Sequence, residues 1–251
     1  MMGAESVART IPFVECFRTI QGEGMLLGRP TVFVRTGGCD FRCRQCDTLY
    51  AVLPEHTSTW SPMTTEAVFA EIQRFSEGKP ILVTLSGGNP AMHPLEDLID
   101  LGHDHGYTFA LETQGSIAQP WFTKLDYLTL SPKPPGMQNP WPTKWERLDR
   151  CIISALEGSG NGHCPRMCLK IVIFGEEDYK YARATAARYP ELPIYLQVGN
   201  HTPPHLSSEV DMPGILQRLD WLIEQVLQDR WYQASILPQL HLLLWGNRRG
   251  V

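Results

Sequence analysis

Short apolar runs rich in β-branched residues recur along the chain at Pro30–Thr36 (PTVFVRT), Ile81–Ser86 (ILVTLS), Tyr107–Thr113 (YTFALET), Asp126–Ser131 (DYLTLS), Cys168–Phe174 (CLKIVIF) and Pro193–Val198 (PIYLQV). Runs of this kind read as strands buried in a parallel sheet. Helical patterns stand between several of them, over Thr64–Glu77, Pro94–His105, Pro142–Glu157 and Glu176–Tyr189, and a last one covers Met212–Trp231. Strand and helix alternate, which predicts an α/β fold with about six mostly parallel strands. Six falls short of the eight strands in a complete (β/α) barrel. An open, partial (β/α) barrel is therefore expected, with the last helix packed outside it. No fixed-period repeat or low-complexity tract divides the chain, so residues 1–251 are expected to form a single domain. The proline-rich stretch Ser131–Pro142 (SPKPPGMQNPWP) follows a strand end, where α/β folds build their sites, and reads as a functional loop.

Composition narrows the class. With 43% hydrophobic and 20% charged residues the chain has material for a core and too little charge density for a disordered chain. A formal charge of −5 argues against a broad basic surface for nucleic acid or anionic membrane. The start MMGAESVARTIPF lacks a basic segment followed by an apolar one, and no apolar stretch approaches a membrane span, so a cytoplasmic protein is expected. Seven cysteines without an export signal favour a metal site over a disulfide framework.

Three of those cysteines, Cys39, Cys43 and Cys46, lie in GGCDFRCRQCDT with the spacing C-x3-C-x2-C. Three thiolates on a four-iron cube would leave one iron open to a substrate or cosubstrate. The alternative is a zinc site, for which His163, Cys164 and Cys168 (HCPRMC) are the candidates to complete a tetrahedron; they border an apolar strand, where a buried cysteine is ordinary. The spacing resembles the signature of radical S-adenosylmethionine (SAM) enzymes, which implies a [4Fe-4S] cluster whose open iron binds SAM, on a partial barrel of that superfamily's type. Phe41, inside the loop, would shield the cluster. Ser86-Gly87-Gly88-Asn89-Pro90 after a strand resembles the radical SAM GGEP motif, with Asn89 where Glu is usual.

Further motifs sit outside the cluster loop. Phe17-Arg18-Thr19-Ile20-Gln21-Gly22-Glu23-Gly24, expected to precede the first strand, joins CDT at 46–48, ETQG at 112–115, SPKPP at 131–135, YLQVGN at 195–200 and a tail running from LPQLH at 237–241 to Val251. Together they resemble the 7-carboxy-7-deazaguanine synthase family, from about Pro12 to Val251. The resemblance implies conversion of 6-carboxy-5,6,7,8-tetrahydropterin to 7-carboxy-7-deazaguanine by radical ring contraction with loss of ammonia, in queuosine biosynthesis. It implies substrate contacts at Ile20, Gln21, Gly22, Glu23, Arg35, Ser86, His241 and the terminal carboxylate of Val251. Contacts to SAM would come from Gln45, Cys46, Asp47, Gly88, Ser131, Pro132, Lys133, Gln197, Val198, Gly199 and Asn200, and Thr48 would contact Mg²⁺. The chemistry is compatible: Gln21 and Glu23 offer partners for a pterin edge, and the planar fork of Arg35 suits a carboxylate. Taken without the resemblance, QGEG is a surface loop, Arg35 a surface ion pair, Asp47 a loop cap and Lys133 a solvated charge. The tail LHLLLWGN is too apolar to be left in solvent and is expected to pack.

The family likeness further implies a flavodoxin-like electron donor and a homodimer. No side chain would need to act as a nucleophile, because the cofactor carries the hard chemistry. Two competing readings remain at this stage: a radical SAM activase of a glycyl-radical partner, and a non-catalytic zinc-binding module.

Overall fold

Side chains alternate across a strand with a period of two, and in this protein that alternation sorts apolar from polar residues. A computed structural model describes residues 9–157 and 163–251; the chain start read for targeting signals lies largely outside them. The strands are β1 (Ile11–Ile20), β2 (Pro30–Thr36), β3 (Ser61–Met63), β4 (Leu82–Gly87), β5 (Thr108–Thr113), β6 (Tyr127–Leu130), β7 (Arg166–Ile173), β8 (Ile194–Val198) and β9 (Ala234–Leu237). They form one sheet in the order β3-β1-β2-β4-β5-β6-β7-β8-β9. From β2 to β9 every pairing is parallel, whereas β1 runs antiparallel to β2 and β3.

The expected six strands are β2 and β4 to β8, within two residues at either end, and the sheet gains three more. β1 was not expected because Glu15, Cys16 and Arg18 interrupt its apolar residues; it takes in Phe17–Ile20, which belong to a strand rather than to a preceding loop. β3 and β9 have 3 and 4 residues and carry little pattern of their own. The sheet stays open, with β3 and β9 at its edges.

One face of the sheet packs against helices. Val32, Val34, Val83, Leu85, Phe109, Leu111, Leu128, Leu130, Leu169, Ile171, Ile194 and Leu196 all point there, none more than 3% exposed. Against them lie α1 (Thr65–Ser76), α2 (Glu96–Asp104), α3 (Trp145–Leu156), α4 (Glu176–Arg188) and α5 (Met212–Gln228), through Val68, Ile72, Leu98, Ile99, Leu148, Ala182 and Leu222. Each fully buried Leu, Ile or Phe contributes about 1.5–3 kcal/mol to this layer. Side-chain caps start two of the helices: the Thr64 hydroxyl accepts from Ala67 N–H at 3.3 Å and Asp211 from Gly214 N–H at 3.0 Å.

The other face carries the intervening residues of the same strands: Arg35, Thr84, Ser86, Glu112, Thr129 and Lys170. At its lower end Met25, Leu26, Leu82, Ala110 and Tyr127 form a small apolar plug. The tail adds a short helix, α6 (Leu240–Trp245), tied down by Leu240 N–H to the Gly22 carbonyl at 3.0 Å and by buried Leu242; the expected packing holds for that side of the helix, whereas Leu243 and Leu244 stay exposed. No helix of the described residues is long and apolar enough to cross a membrane.

Leu128 is fully buried at the centre of the helix-facing layer. Leu128→Ala is expected to destabilise the fold by about 2–5 kcal/mol, read as a lower urea midpoint at unchanged slope.

Candidate active site

The loop after β2 holds the three cysteines, and its backbone is stapled on both sides. Gly38 N–H donates to Ala51 O at 2.8 Å, Asn89 N–H to Gly38 O at 2.8 Å and Gly88 N–H to Thr36 O at 3.0 Å. The proline-rich loop closes the far side, with the Asn139 side chain accepting from Arg42 N–H at 3.0 Å. Gly87 and Gly88 permit this approach: a Cβ on Gly88 would collide with the Gly38 carbonyl and one on Gly87 with that of Thr36.

Asn89 does not face the cavity beyond this loop. It is fully buried, donates to Asp40 at 2.9 Å and Ser116 at 3.1 Å, and accepts from the Thr113 hydroxyl at 2.8 Å. Its amide therefore ties the turns after β4 and β5 to the cysteine loop, a position in which a carboxylate would confront Asp40. Gln114 donates to Asp40 at 2.6 Å and lies 3.7 Å from Cys39 Sγ.

Cys39, Cys43 and Cys46 gather with Phe41, Met137, Val172 and Phe174 in an apolar patch. Burial pushes the Cys43 thiol up to about 12 and the Cys46 thiol to about 11, so as free thiols they stay protonated and need a cation to become thiolates. Among the described residues no three His, Cys, Asp or Glu side chains converge as ligands of a single metal ion. Three soft donors spread around an apolar cradle, with none added by the rest of the described residues, fit a multi-iron cluster with one open corner.

The loop opens into a cavity of about 390 Å³, within the usual range for small-molecule sites. Across it from the cysteines lies a buried charge cluster. Lys170 on β7 contacts Glu23 and reaches Glu112 on β5 at 3.3 Å. The Gln239 side chain donates to Glu23 at 2.7 Å, and His241 Nδ1 lies 3.9 Å from the same carboxylate. Burial would raise the pKa of Glu23, but Lys170 and His241 outweigh it and bring Glu23 down to about 2. Two carboxylates share one lysine, so the cluster carries a net negative charge and suits a ligand edge rich in N–H donors. Gly22 accommodates the tail, since a Cβ there would strike the His241 ring.

One wall is aromatic. Phe17 and Phe33 stack with centroids 5.4 Å apart, and the Arg35 guanidinium lies 5.2 Å from the Phe33 centroid and 5.8 Å from that of Tyr50. Two buried amide oxygens at the cavity, on Gln45 and Gln239, have no hydrogen-bond partner among the described residues. Buried polar atoms without partners are rare, and these two are available to a ligand.

No family model matches the chain. It is similar, however, to 7-carboxy-7-deazaguanine synthase of Bacillus subtilis strain 168, at 40% identity over 248 residues covering 98% of this chain and 100% of that protein. The synthase of Bacillus cereus is 38% identical over 244 residues, covering 96% and 99% of the two chains. This chain belongs to the 7-carboxy-7-deazaguanine synthase family. Among solved structures, QueE from Escherichia coli superposes with a TM-score of 0.63 at 23% identity, covering 90% of this chain and 93% of that one. Streptococcus suis SuiB bound to its precursor peptide SuiA shares the fold more distantly, with a TM-score of 0.53 at 10% identity over 80% of this chain and 46% of that chain.

In this synthase-family chain the positions expected to contact substrate, Ile20, Gln21, Gly22, Glu23, Arg35, Ser86, His241 and Val251, all line the one cavity, as do Cys39, Cys43, Cys46 and Thr48. Of the positions expected to contact SAM, Gln45, Cys46, Asp47, Gly88, Ser131, Lys133 and Asn200 line it too. Pro132, Gln197, Val198 and Gly199 are not on its wall. Val198 belongs to the helix-facing core, Gly199 N–H bonds to Ile173 O at 2.8 Å, and the Gln197 amide donates to Pro238 O at 3.0 Å. His163, Cys164 and Cys168 do not join the cysteine loop: Cys168 is buried beside Thr129 and Cys164 is exposed.

Sequence reasoning missed Lys170, Glu112, Gln239, Glu15, Tyr50 and Arg249. A signal existed for Lys170, a lone charge inside the apolar run CLKIVIF, and for Glu112, at the strand end in ETQG.

Lys170→Met is expected to cost about 3–5 kcal/mol at neutral pH by stranding two buried carboxylates. The wild-type contribution of Glu23 is present above its ordinary value of 4.5 and is lost as pH falls towards 2. The variant should regain stability as acid neutralises the stranded carboxylates; urea unfolding checks the sign, with the variant gaining from pH 8 to pH 5 while the Glu23 contribution in the wild type holds level.

Proposed function

We propose that this protein converts 6-carboxy-5,6,7,8-tetrahydropterin to 7-carboxy-7-deazaguanine, by radical ring contraction with loss of ammonia, for queuosine biosynthesis. The observation that carries the reading is that the three-cysteine loop and the buried Glu23–Lys170–Glu112 cluster face a single cavity. Cys39, Cys43 and Cys46 would hold a [4Fe-4S] cluster, and Gln45, Gly88, Ser131, Lys133 and Asn200 would surround SAM at its open corner. The chemistry that cluster and SAM would supply there is a carbon-centred radical able to abstract hydrogen from substrate C6.

The chain's own residues do the positioning. Glu23, with Gln21 and His241, meets the N–H edge of the pterin, and the Phe17 and Phe33 rings line the wall beside it. Arg35 meets the carboxylate with its terminal fork. Thr48, beside Cys46 and Asp47, would contact a Mg²⁺ ion whose other ligands come from substrate and water. The Val251 carboxylate reaches the substrate from the tail. Because Lys170 and Glu23 are paired, this cluster orients and desolvates the substrate, and the protons that move as ammonia leaves pass through other groups or water. A flavodoxin-like donor, a homodimeric state and a cytoplasmic setting complete the proposal, which is a lyase.

The test is anaerobic turnover of reconstituted protein with SAM, reductant, Mg²⁺ and 6-carboxytetrahydropterin, following 7-carboxy-7-deazaguanine and 5′-deoxyadenosine by mass spectrometry. Deazaguanine in excess over SAM consumed is expected; 5′-deoxyadenosine without deazaguanine would overturn the substrate and leave the activase reading. Each of Cys39→Ala, Cys43→Ala and Cys46→Ala should lose the brown absorbance and all turnover, whereas a colourless wild type that binds zinc would defeat the cluster. Residues added after Val251 should raise KM for the pterin and leave SAM binding intact, measured by equilibrium dialysis.

A further inference from the structure

Glu15 on β1 has no part in the reading above, yet it joins two pieces of the site. Its side chain is 14% exposed. One carboxylate oxygen accepts from Arg35 Nε at 2.7 Å and from the Tyr50 hydroxyl at 2.8 Å; the other accepts from Arg249 Nε at 2.6 Å. The Arg249 guanidinium lies over the Tyr50 ring, 3.9 Å from its centroid. Burial alone would raise the pKa of Glu15, but Arg35, Arg249 and Tyr50 together hold it below the usual carboxylate value, so it is ionised at neutral pH.

The geometry gives each arm a separate consequence. Arg35 lines the cavity and spends only Nε on Glu15, and its terminal nitrogens have no hydrogen-bond partner among the described residues. Arg249 belongs to the tail, whose root is anchored elsewhere: the Asn247 amide donates to Thr202 O at 2.8 Å and Ser207 O at 2.9 Å. Between that anchor and Val251, the tie to Glu15 holds the tail against the cavity, which residues 246–251 line.

We infer that Glu15 is a positioning residue for the pterin, one carboxylate that both aims the Arg35 fork into the cavity and clasps the C-terminal segment over it through Arg249. The inference rests on the proposed substrate site and adds a residue that does not touch the ligand. Charge-assisted hydrogen bonds of this geometry are among the stronger single contacts, so losing them should open the clasp appreciably.

The tail supplies its own probe, because Arg248 and Arg249 are tryptic sites. In folded, reconstituted Glu15→Gln protein, limited trypsin should clip the tail about tenfold faster than in wild type, in proportion to the open population. KM for 6-carboxytetrahydropterin should rise about tenfold with kcat nearly constant, the signature of lost binding, and SAM binding and cluster absorbance should not change. Arg249→Ala, altering a half-exposed side chain, should clip faster at Arg248 and raise KM, and the double variant should be no worse than Glu15→Gln alone. Unchanged clipping in both single variants would overturn the clasp. Faster clipping at wild-type KM would overturn the positioning role. Arg35→Lys separates that outcome from failure of the substrate reading, since a wild-type KM there as well would mean that Arg35 does not meet the pterin.

Discussion

Strands β2 and β4 to β8 must satisfy two surroundings at once, and the period-two alternation of their side chains is the constraint from which the site follows. The residues facing the helices are aliphatic or aromatic and buried, and they hold the sheet in place. Their neighbours are thereby committed to the opposite face, where the chain carries Arg35, Ser86, Glu112 and Lys170. A one-residue slip would put a charge among the helices in β2, β5 or β7, through Arg35, Glu112 or Lys170, and a polar side chain there in β4, β6 or β8, so core packing and site register are enforced together. The pairing Arg35↔Ser86 and the offset between Glu112 and Lys170 are products of that register.

Charge on the concave face then has to be neutralised locally. Lys170 stands between Glu23 and Glu112, and desolvation, which would strip its proton, is outweighed by the two carboxylates, so it stays charged. The cluster joins β7, β5 and the turn after β1, and through Gln239 it reaches the start of the tail. An ion pair this deep is weak evidence for stability as such, because apolar residues of similar volume pack as well. Its retention makes sense as site construction: it fixes the Glu23 carboxylate, ionised, at a cavity whose opposite rim is the cysteine loop. Asn89 follows the same logic of charge placement, since an uncharged amide can bridge Asp40 and Thr113 where a second carboxylate would repel.

The site gathers pieces remote in sequence by allowing backbones to come very close. Gly88 lies against the cysteine loop and Gly22 against the His241 ring, both at separations no side chain tolerates. Glu15 closes the assembly across 234 residues of chain to Arg249. The three cysteines thus come from one loop, braced by Asn89, Gln114 and Asn139, whereas the Glu23 side of the cavity comes from β1, β5, β7 and the tail together.

Six of the nine strands and five helices were legible as local patterns, because a buried parallel strand or an amphipathic helix imposes its periodicity on consecutive residues. β1 was not, since it alternates Glu15, Phe17 and Thr19 on one face and its partner strand decides what those residues are. The motif set pointed to the family by itself, and the cysteine spacing marked the loop proposed to carry its cluster, since those features lie contiguously along the chain. Only the tertiary structure decided that Lys170 neutralises Glu23, that Asn89 turns away from the cavity, that Gln197 bonds Pro238 while Val198 joins the helix-facing core, and that Arg249 meets Glu15. Each depends on which strands are neighbours and on what register, and sheet pairing is a long-range choice made by the whole core, invisible to any window of sequence.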